Sequence, residues 1–257
     1  MLSQNPSPSG RLFLPSATGI IPADPRSRIP SACAKGIEAE LEKFVAQPQY
    51  PCVAAVAALK QKDYQIGLYS NFGAAGTSDE LRRDLLFFLE RQRTLKAPYL
   101  SFFAVFEPGN FSEDDFERSL WNELSHLTSE EDKATDWAPG TATDPADKSF
   151  CFSLGGAAFF VVGIHPNSSR KSRQFKYPAL IFNVFSQFTD LQIAGKYDAM
   201  VKTNRSREVK FEGSVNPMAL AHGETWETIQ FSGKANDPNW KCPFQFLAKS
   251  KELELAS

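Results

Sequence analysis

The run Ser101-Phe102-Phe103-Ala104-Val105-Phe106 is apolar on both of its alternating faces, so a strand built from it has no side to turn toward water. Residues 99–106 are therefore expected as a central strand. Two further apolar runs, residues 157–162 and 179–185, share that character. The first of these follows residues 150–154 across Gly155-Gly156, a glycine pair that predicts a two-residue β-hairpin. Much of the chain's phenylalanine, 22 residues in all, falls in these runs. Such runs build β cores, and they also wall large apolar cofactor pockets.

Helical patterns flank the strands. Residues 37–45 form a short amphipathic pattern that ends before Pro48. Residues 51–59 read as an alanine-rich helix with Pro51 at its first position, whose small side chains would let a backbone or a flat cofactor approach closely. After a strand at residues 66–70, Thr77 and Glu80 make a capping-box pattern for a helix to about Arg93, with Leu81, Leu85, Leu86 and Leu89 on one face. Ser112 and Asp115 repeat the pattern for a second helix carrying Phe116, Leu120, Trp121, Leu124 and Leu127. Residues 129–148 form a long polar loop, residues 192–221 a mainly helical region interrupted near Gly213 and Pro217, and the segment around Trp240 an irregular tail. Hairpin-linked strands in the middle with helices at both ends predict an α+β fold with a mostly antiparallel central sheet flanked by helices. Residues 1–30, with six prolines among Ser, Gly and Arg, are expected as a disordered or extended arm outside that fold. Residues 31–257 are expected as a single domain, because 257 residues with 42% hydrophobic content suit one core.

Composition excludes several function classes. A net charge of −2 argues against a nucleic-acid partner. No apolar stretch suits a membrane span, and the N-terminus has no basic region followed by an apolar one, so no membrane partner and a cytoplasmic location are expected. The four cysteines, Cys33, Cys52, Cys151 and Cys242, have neither zinc-site nor disulfide-framework spacing. No glycine-rich nucleotide loop, nucleophile elbow or H-E-x-x-H pattern is present.

The chemistry-bearing residues concentrate between two of the strands, in Gly163-Ile164-His165-Pro166-Asn167-Ser168-Ser169-Arg170-Lys171-Ser172-Arg173. Imidazole ligates transition metals, and two arginines three residues apart can pair with carboxylates or phosphates. His165 is thus a candidate axial metal ligand or a loop histidine bonded to a carbonyl. Arg170 and Arg173 are candidate anion clamps or a solvated turn. Cys242, between Trp240 and Phe244, is either a sheltered thiolate ligand or a buried structural thiol. Glu224, Glu227 and Asp144 are candidate anionic contacts for a cationic substrate.

In order, Pro51-Cys52, Thr143-Asp144-Pro145, Phe150-Cys151-Phe152, Phe159-Phe160-Val161-Val162 and His165-Pro166-x-Ser168-Ser169-Arg170-x-x-Arg173 resemble the YqcI/YcgG family. Phe182-Asn183, Phe211-Glu212-Gly213-Ser214-Val215-Asn216-Pro217-Met218, His222-Gly223-Glu224, Gln230-Phe231-Ser232-Gly233 and Trp240-x-Cys242-Pro243-Phe244 resemble one branch of it, which includes haem-dependent pre-guanitoxin N-hydroxylases. The resemblance covers about residues 51–244.

It implies a haem monooxygenase that uses dioxygen and an external reductant to hydroxylate a guanidino or amino group of a small molecule. The haem would be haem b, held non-covalently because no C-x-x-C-H is present. His165 would be the proximal metal ligand with Cys242 as the alternative. Arg170, Arg173 and Ser169 would contact the cofactor, and Glu224, Glu227 and Asp144 would orient the substrate and share its proton. A Thr225-Trp226-Glu227-Thr228 series, where the branch leads one to expect Ser-Glu-Ala, points to a different guanidine or amine. A non-catalytic haem-binding or sensor protein, and a haem-free anion-binding protein, are the alternatives.

Overall fold

The computed structural model describes residues 7–73, 75–95, 97, 99–129, 137–219, 227–237 and 239–247. Its elements in chain order are β1 (Leu12–Ser16), β2 (Gly19–Pro22), α1 (Ser31–Val45), α2 (Val53–Gln61), β3 (Tyr64–Tyr69), α3 (Ala75–Thr94), β4 (Ser101–Phe106) and α4 (Glu113–Leu127). They continue with β5 (Ser153–Leu154), β6 (Ala157–Ile164), β7 (Ala179–Val184), α5 (Ser186–Ile193) and α6 (Tyr197–Glu212), plus 3-10 turns at Lys171–Arg173, Pro217–Ala219 and Glu227–Gln230. The expected α+β class holds.

The strand order is β2-β1-β3-β4-β7-β6-β5, which puts β4 in the middle of the sheet, every residue of it buried. Only β3 and β4 run parallel, and α3 makes the crossover between them. All other neighbours are antiparallel. The Gly155-Gly156 turn has φ of +56° and +76°, the conformation that a tight hairpin needs and that glycine adopts without strain.

Alternation then sorts the side chains onto two faces. Phe102, Ala104, Phe106, Phe159, Val161, Leu180 and Phe182 turn toward α3 and α4, and pack with Leu85, Phe88, Phe116, Leu120 and Trp121. Phe103, Val105, Val162, Ile164 and Ile181 turn to the other face, toward α1. The α4 capping box forms as the sequence predicts: Asp115 N–H donates to Ser112 Oγ at 3.1 Å, and Ser112 N–H to Asp115 Oδ2 at 3.4 Å. Thr77 and Glu80, in contrast, lie inside α3 rather than at its cap.

The expected N-terminal arm is corrected. Leu12, Phe13 and Ile20 are buried, and β1 pairs with both β2 and β3. A buried carboxylate holds this segment down: Asp84 of α3 accepts from Ser9 N–H, Ser9 Oγ and Tyr69 Oη, each at 2.6 Å. Pro15 and Pro22 fit because their strands form the outer hairpin, where proline's missing donor is tolerated.

Candidate functional site

The α1 face of the sheet is not filled. A cavity of about 300 Å³ lies between a floor of Phe103, Phe160, Val162, Ile164 and Ile181, a wall from α1 and the start of α2, and the inward side of α6. Its size falls at the lower end for small-molecule sites.

The inward side of α6 consists of Tyr197, Met200, Val201, Asn204, Arg205 and Glu208, which follow helical spacing, and all of them line the cavity. No residue of this 16-residue helix is buried. Polar bonds keep it in place. Val53 N–H donates to Asn204 Oδ1 at 3.0 Å, and Arg170 Nη2 to Glu208 Oε1 at 2.7 Å. Lys171 and Ser172 N–H donate to the two oxygens of Glu212 at 3.1 and 2.6 Å. Burial pushes the Glu212 carboxyl upward, but the bonds from Ser172 and Lys171 and the Arg170 charge outweigh it and hold the group below the usual range.

Arg173 also lines the cavity. Its guanidinium donates to three backbone carbonyls, Gly163 at 2.9 Å, Gln230 at 3.3 Å and Phe231 at 3.5 Å. No carboxylate of the described residues pairs with it. Burial lowers its pKa, against the pull of Tyr50, Cys52 and Glu208 nearby. Cys52 is the N-cap of α2, and its Sγ accepts from Ala55 N–H at 3.4 Å. Burial pushes this thiol up, while the amides of Ala55 and Ala54 and the Arg173 charge oppose the push. Glu227 lines the same space and accepts from Gln230 Nε2 at 2.8 Å.

The structure brings Arg170, Arg173 and Glu227 together at the cavity and leaves the other candidates elsewhere. His165 follows Gly163 and Val161 on the opposite face of β6, where its ring stacks on Phe116 of α4 at 4.2 Å and 16°. It is 1% exposed, and its Nδ1 has no hydrogen-bond partner among the described residues. Burial lowers its pKa, with Glu113 opposing and Arg173 assisting. Cys242 packs against the α3/α4 core, and burial pushes its thiol up to about 12. Ser169 is exposed and donates its N–H and Oγ to Glu113 Oε1 at 3.0 and 2.9 Å. Asp144 is exposed and closes a turn through Ala146 N–H at 2.9 Å. Glu224 lies outside the described residues. No cluster of three or more His, Cys, Asp or Glu side chains suited to a metal ion occurs among the described residues.

Sequence reasoning passed over Cys52, Tyr50 and the inward stripe of α6. One signal was present: Ala54 and Ala55, from the alanine-rich helix expected to admit a flat group, line the cavity.

The sequence matches the family model described as the YqcI/YcgG family over residues 41–245. The chain belongs to the YqcI/YcgG family. The matched residues run from the end of α1 to the C-terminal tail and so contain every lining residue of the cavity. No curated protein and no solved structure matches the chain. Among the described residues, no helix is long and apolar enough to cross a membrane.

Proposed function

We propose that this member of the YqcI/YcgG family is a haem-dependent N-hydroxylase acting on a guanidino or amino group of a small molecule, with the cavity beneath α6 as its site. The observation that carries the reading is a largely apolar cavity roofed by a helix with no buried residue, and bordered by the Arg173 guanidinium, which makes no salt bridge among the described residues. An apolar space of this kind suits a flat, largely apolar, anionic cofactor better than it suits water.

The residues present fit haem b. The floor phenylalanine and aliphatic side chains would face the ring, Ala54 and Ala55 leave room beside it, and Arg173 would pair with a propionate. Arg170 is already committed to Glu208, so its role is to anchor α6 over the site. Bound haem would supply the activation of dioxygen with electrons from an external reductant.

The chain's own residues do the rest. The apolar walls exclude bulk water, which strengthens every charge interaction inside. Glu227 would accept hydrogen bonds from a guanidinium or ammonium group, orient its nitrogen, and take up the proton released there. Gln230 Nε2 fixes the rotamer of Glu227 for that task.

The test is to supply the purified protein with haem, dioxygen and a reductant, and to screen guanidines and amines for a mass gain of one oxygen atom. Glu227→Gln is expected to keep haem and lose turnover by about 10²-fold. Haem uptake with neither turnover nor a guanidine-induced spectral change would favour a non-catalytic haem protein. Absence of haem uptake would overturn the reading, leaving an anion-binding protein centred on Arg173.

A further inference from the structure

Resting on the reading of this cavity as the site of a small nitrogenous molecule, we propose that Phe160, Phe185, Phe188 and Tyr197 form an aromatic subsite that holds the molecule's polar end as an organic cation, with Glu227 and Asn183 Oδ1 accepting its N–H groups.

Two elements run along the cavity and separate its ends. Phe160 and Ile164 span roughly 13 Å of β6 on the floor, at the rise of a strand. Tyr197 and Glu208 span roughly 16 Å of α6 on the roof. Ile164 leads into the loop that carries Arg170 and Arg173, and Arg170 pairs with Glu208 at 2.7 Å, so this end is the basic one. Across the sheet, Phe160 pairs with Asn183, and Asn183 with Ser101, which puts those polar residues at the other end. Glu227 belongs there too. Burial, and after it the Glu227 charge, push up both the Tyr197 hydroxyl and the Cys151 thiol, whose Sγ donates to the Phe159 carbonyl at 3.4 Å. At Tyr197 the Glu227 charge outweighs the opposing charge of Arg205, which also lines the cavity.

The rings at this end differ from those of the other sheet face. Phe102, Phe159 and Phe182 are fully buried, whereas Phe160, Phe185, Phe188 and Tyr197 are half-buried and all line the cavity. Phe188 meets Phe160 at 78° and Phe185 at 63°, with centroids 5.8 and 5.9 Å apart, so the three stand as walls at an angle and not as a stack. Aromatic faces attract cations, and most strongly those that shed their water readily. Among these rings the floor carries one polar pair: Ser101 Oγ donates to Asn183 Oδ1 at 2.8 Å, while Asn183 Nδ2 turns to the Phe160 carbonyl at 3.5 Å. An amide oxygen has a second lone pair for a ligand N–H. A quaternary ammonium has no N–H for these acceptors, and a primary ammonium is strongly hydrated. A flat, weakly hydrated cation that bears N–H groups, a guanidinium or amidinium, suits the rings and the acceptors together.

The experiment is a calorimetric titration of the full-length chain, haem-free and haem-loaded, with N-propylguanidinium and with its neutral isostere N-propylurea. Phe188→Leu and Phe185→Leu keep apolar bulk while removing a ring, so both are expected to fold. The wild type should bind the cation roughly tenfold more tightly than the urea or better, and each variant should lose about 3- to 30-fold of that selectivity. Equal affinity for the two probes, selectivity unchanged in both variants, or no binding of the cation to any form of the chain overturns the subsite. Cation selectivity in a chain that takes up no haem keeps the subsite and overturns the haem reading. Haem uptake without cation selectivity does the reverse.

Discussion

The two faces of the central sheet are filled by opposite means. Toward α3 and α4, aromatic rings close the space: Phe182 meets Phe102 and Phe159 with ring centroids about 6 Å away, and all three are fully buried. Toward α1, α2 and α6, the same strands present Phe160, Val162 and Ile181 to a cavity, and the covering helix is held by side-chain bonds at Asn204, Glu208 and Glu212. The first face is closed by packing and the second encloses a cavity. Histidine at 165 belongs to the first face and Arg173 to the second, although only seven residues separate them in the loop.

That division predicts a graded set of effects. The largest belongs to the closed face: Phe182→Ala should lower the unfolding free energy by about 3–5 kcal/mol in denaturant titrations, because its packed neighbours cannot collapse into the gap. A second effect of about 3 kcal/mol comes from Glu123, a buried α4 carboxyl pushed up to about 7 by burial, with bonds from Ser78 Oγ and Gly73 N–H limiting the rise. Its folded form keeps a proton that the unfolded chain, with the ordinary value of 4.5, releases earlier. Stability from this group is therefore complete below pH 4.5 and is lost as pH rises to about 7. Glu123→Gln should remove that slope, so its stability relative to wild type should increase across the window.

Smaller effects sharpen the contrast. Gly163 faces α4, and a Cβ there would come within 2.6 Å of Phe116 Cε1 and 2.9 Å of the Phe231 carbonyl. Gly163→Ala should cost about 1–3 kcal/mol by overpacking, read as a lowered thermal midpoint. On the open face, Met200→Ala removes a side chain that lines the cavity, and should change stability by less than about 1 kcal/mol while weakening haem uptake. A loss at Met200 comparable to that at Phe182 would erase the distinction between the faces.

Much of the closed face is legible in the sequence because its signals are local. The all-apolar run at Ser101–Phe106, the Ser112/Asp115 cap and the Gly155-Gly156 turn each dictate their own structure. The N-terminal hairpin is hidden by its prolines, since composition does not reveal that Asp84, some 75 residues on, holds Ser9 in place. The site is half legible. Arg170, Arg173 and Glu227, singled out through the loop chemistry and the family pattern, line the cavity, whereas His165, grouped with them by its nearness in sequence, does not. Counting by twos from Phe159 through Val161 and Gly163 puts His165 on the face of α4 instead. The α6 stripe escapes notice because Tyr, Met, Val, Asn, Arg and Glu form no obvious apolar face, as expected for a helix that covers a cavity rather than a core.

The most direct test of the open face is a stoichiometric haem titration of the wild type beside Val162→Trp, which fills the cavity from its floor. The account predicts one haem per wild-type chain and little or none in the variant, with the thermal midpoint of the apo-variant retained. Equal uptake by both proteins, or none by the wild type, would contradict it.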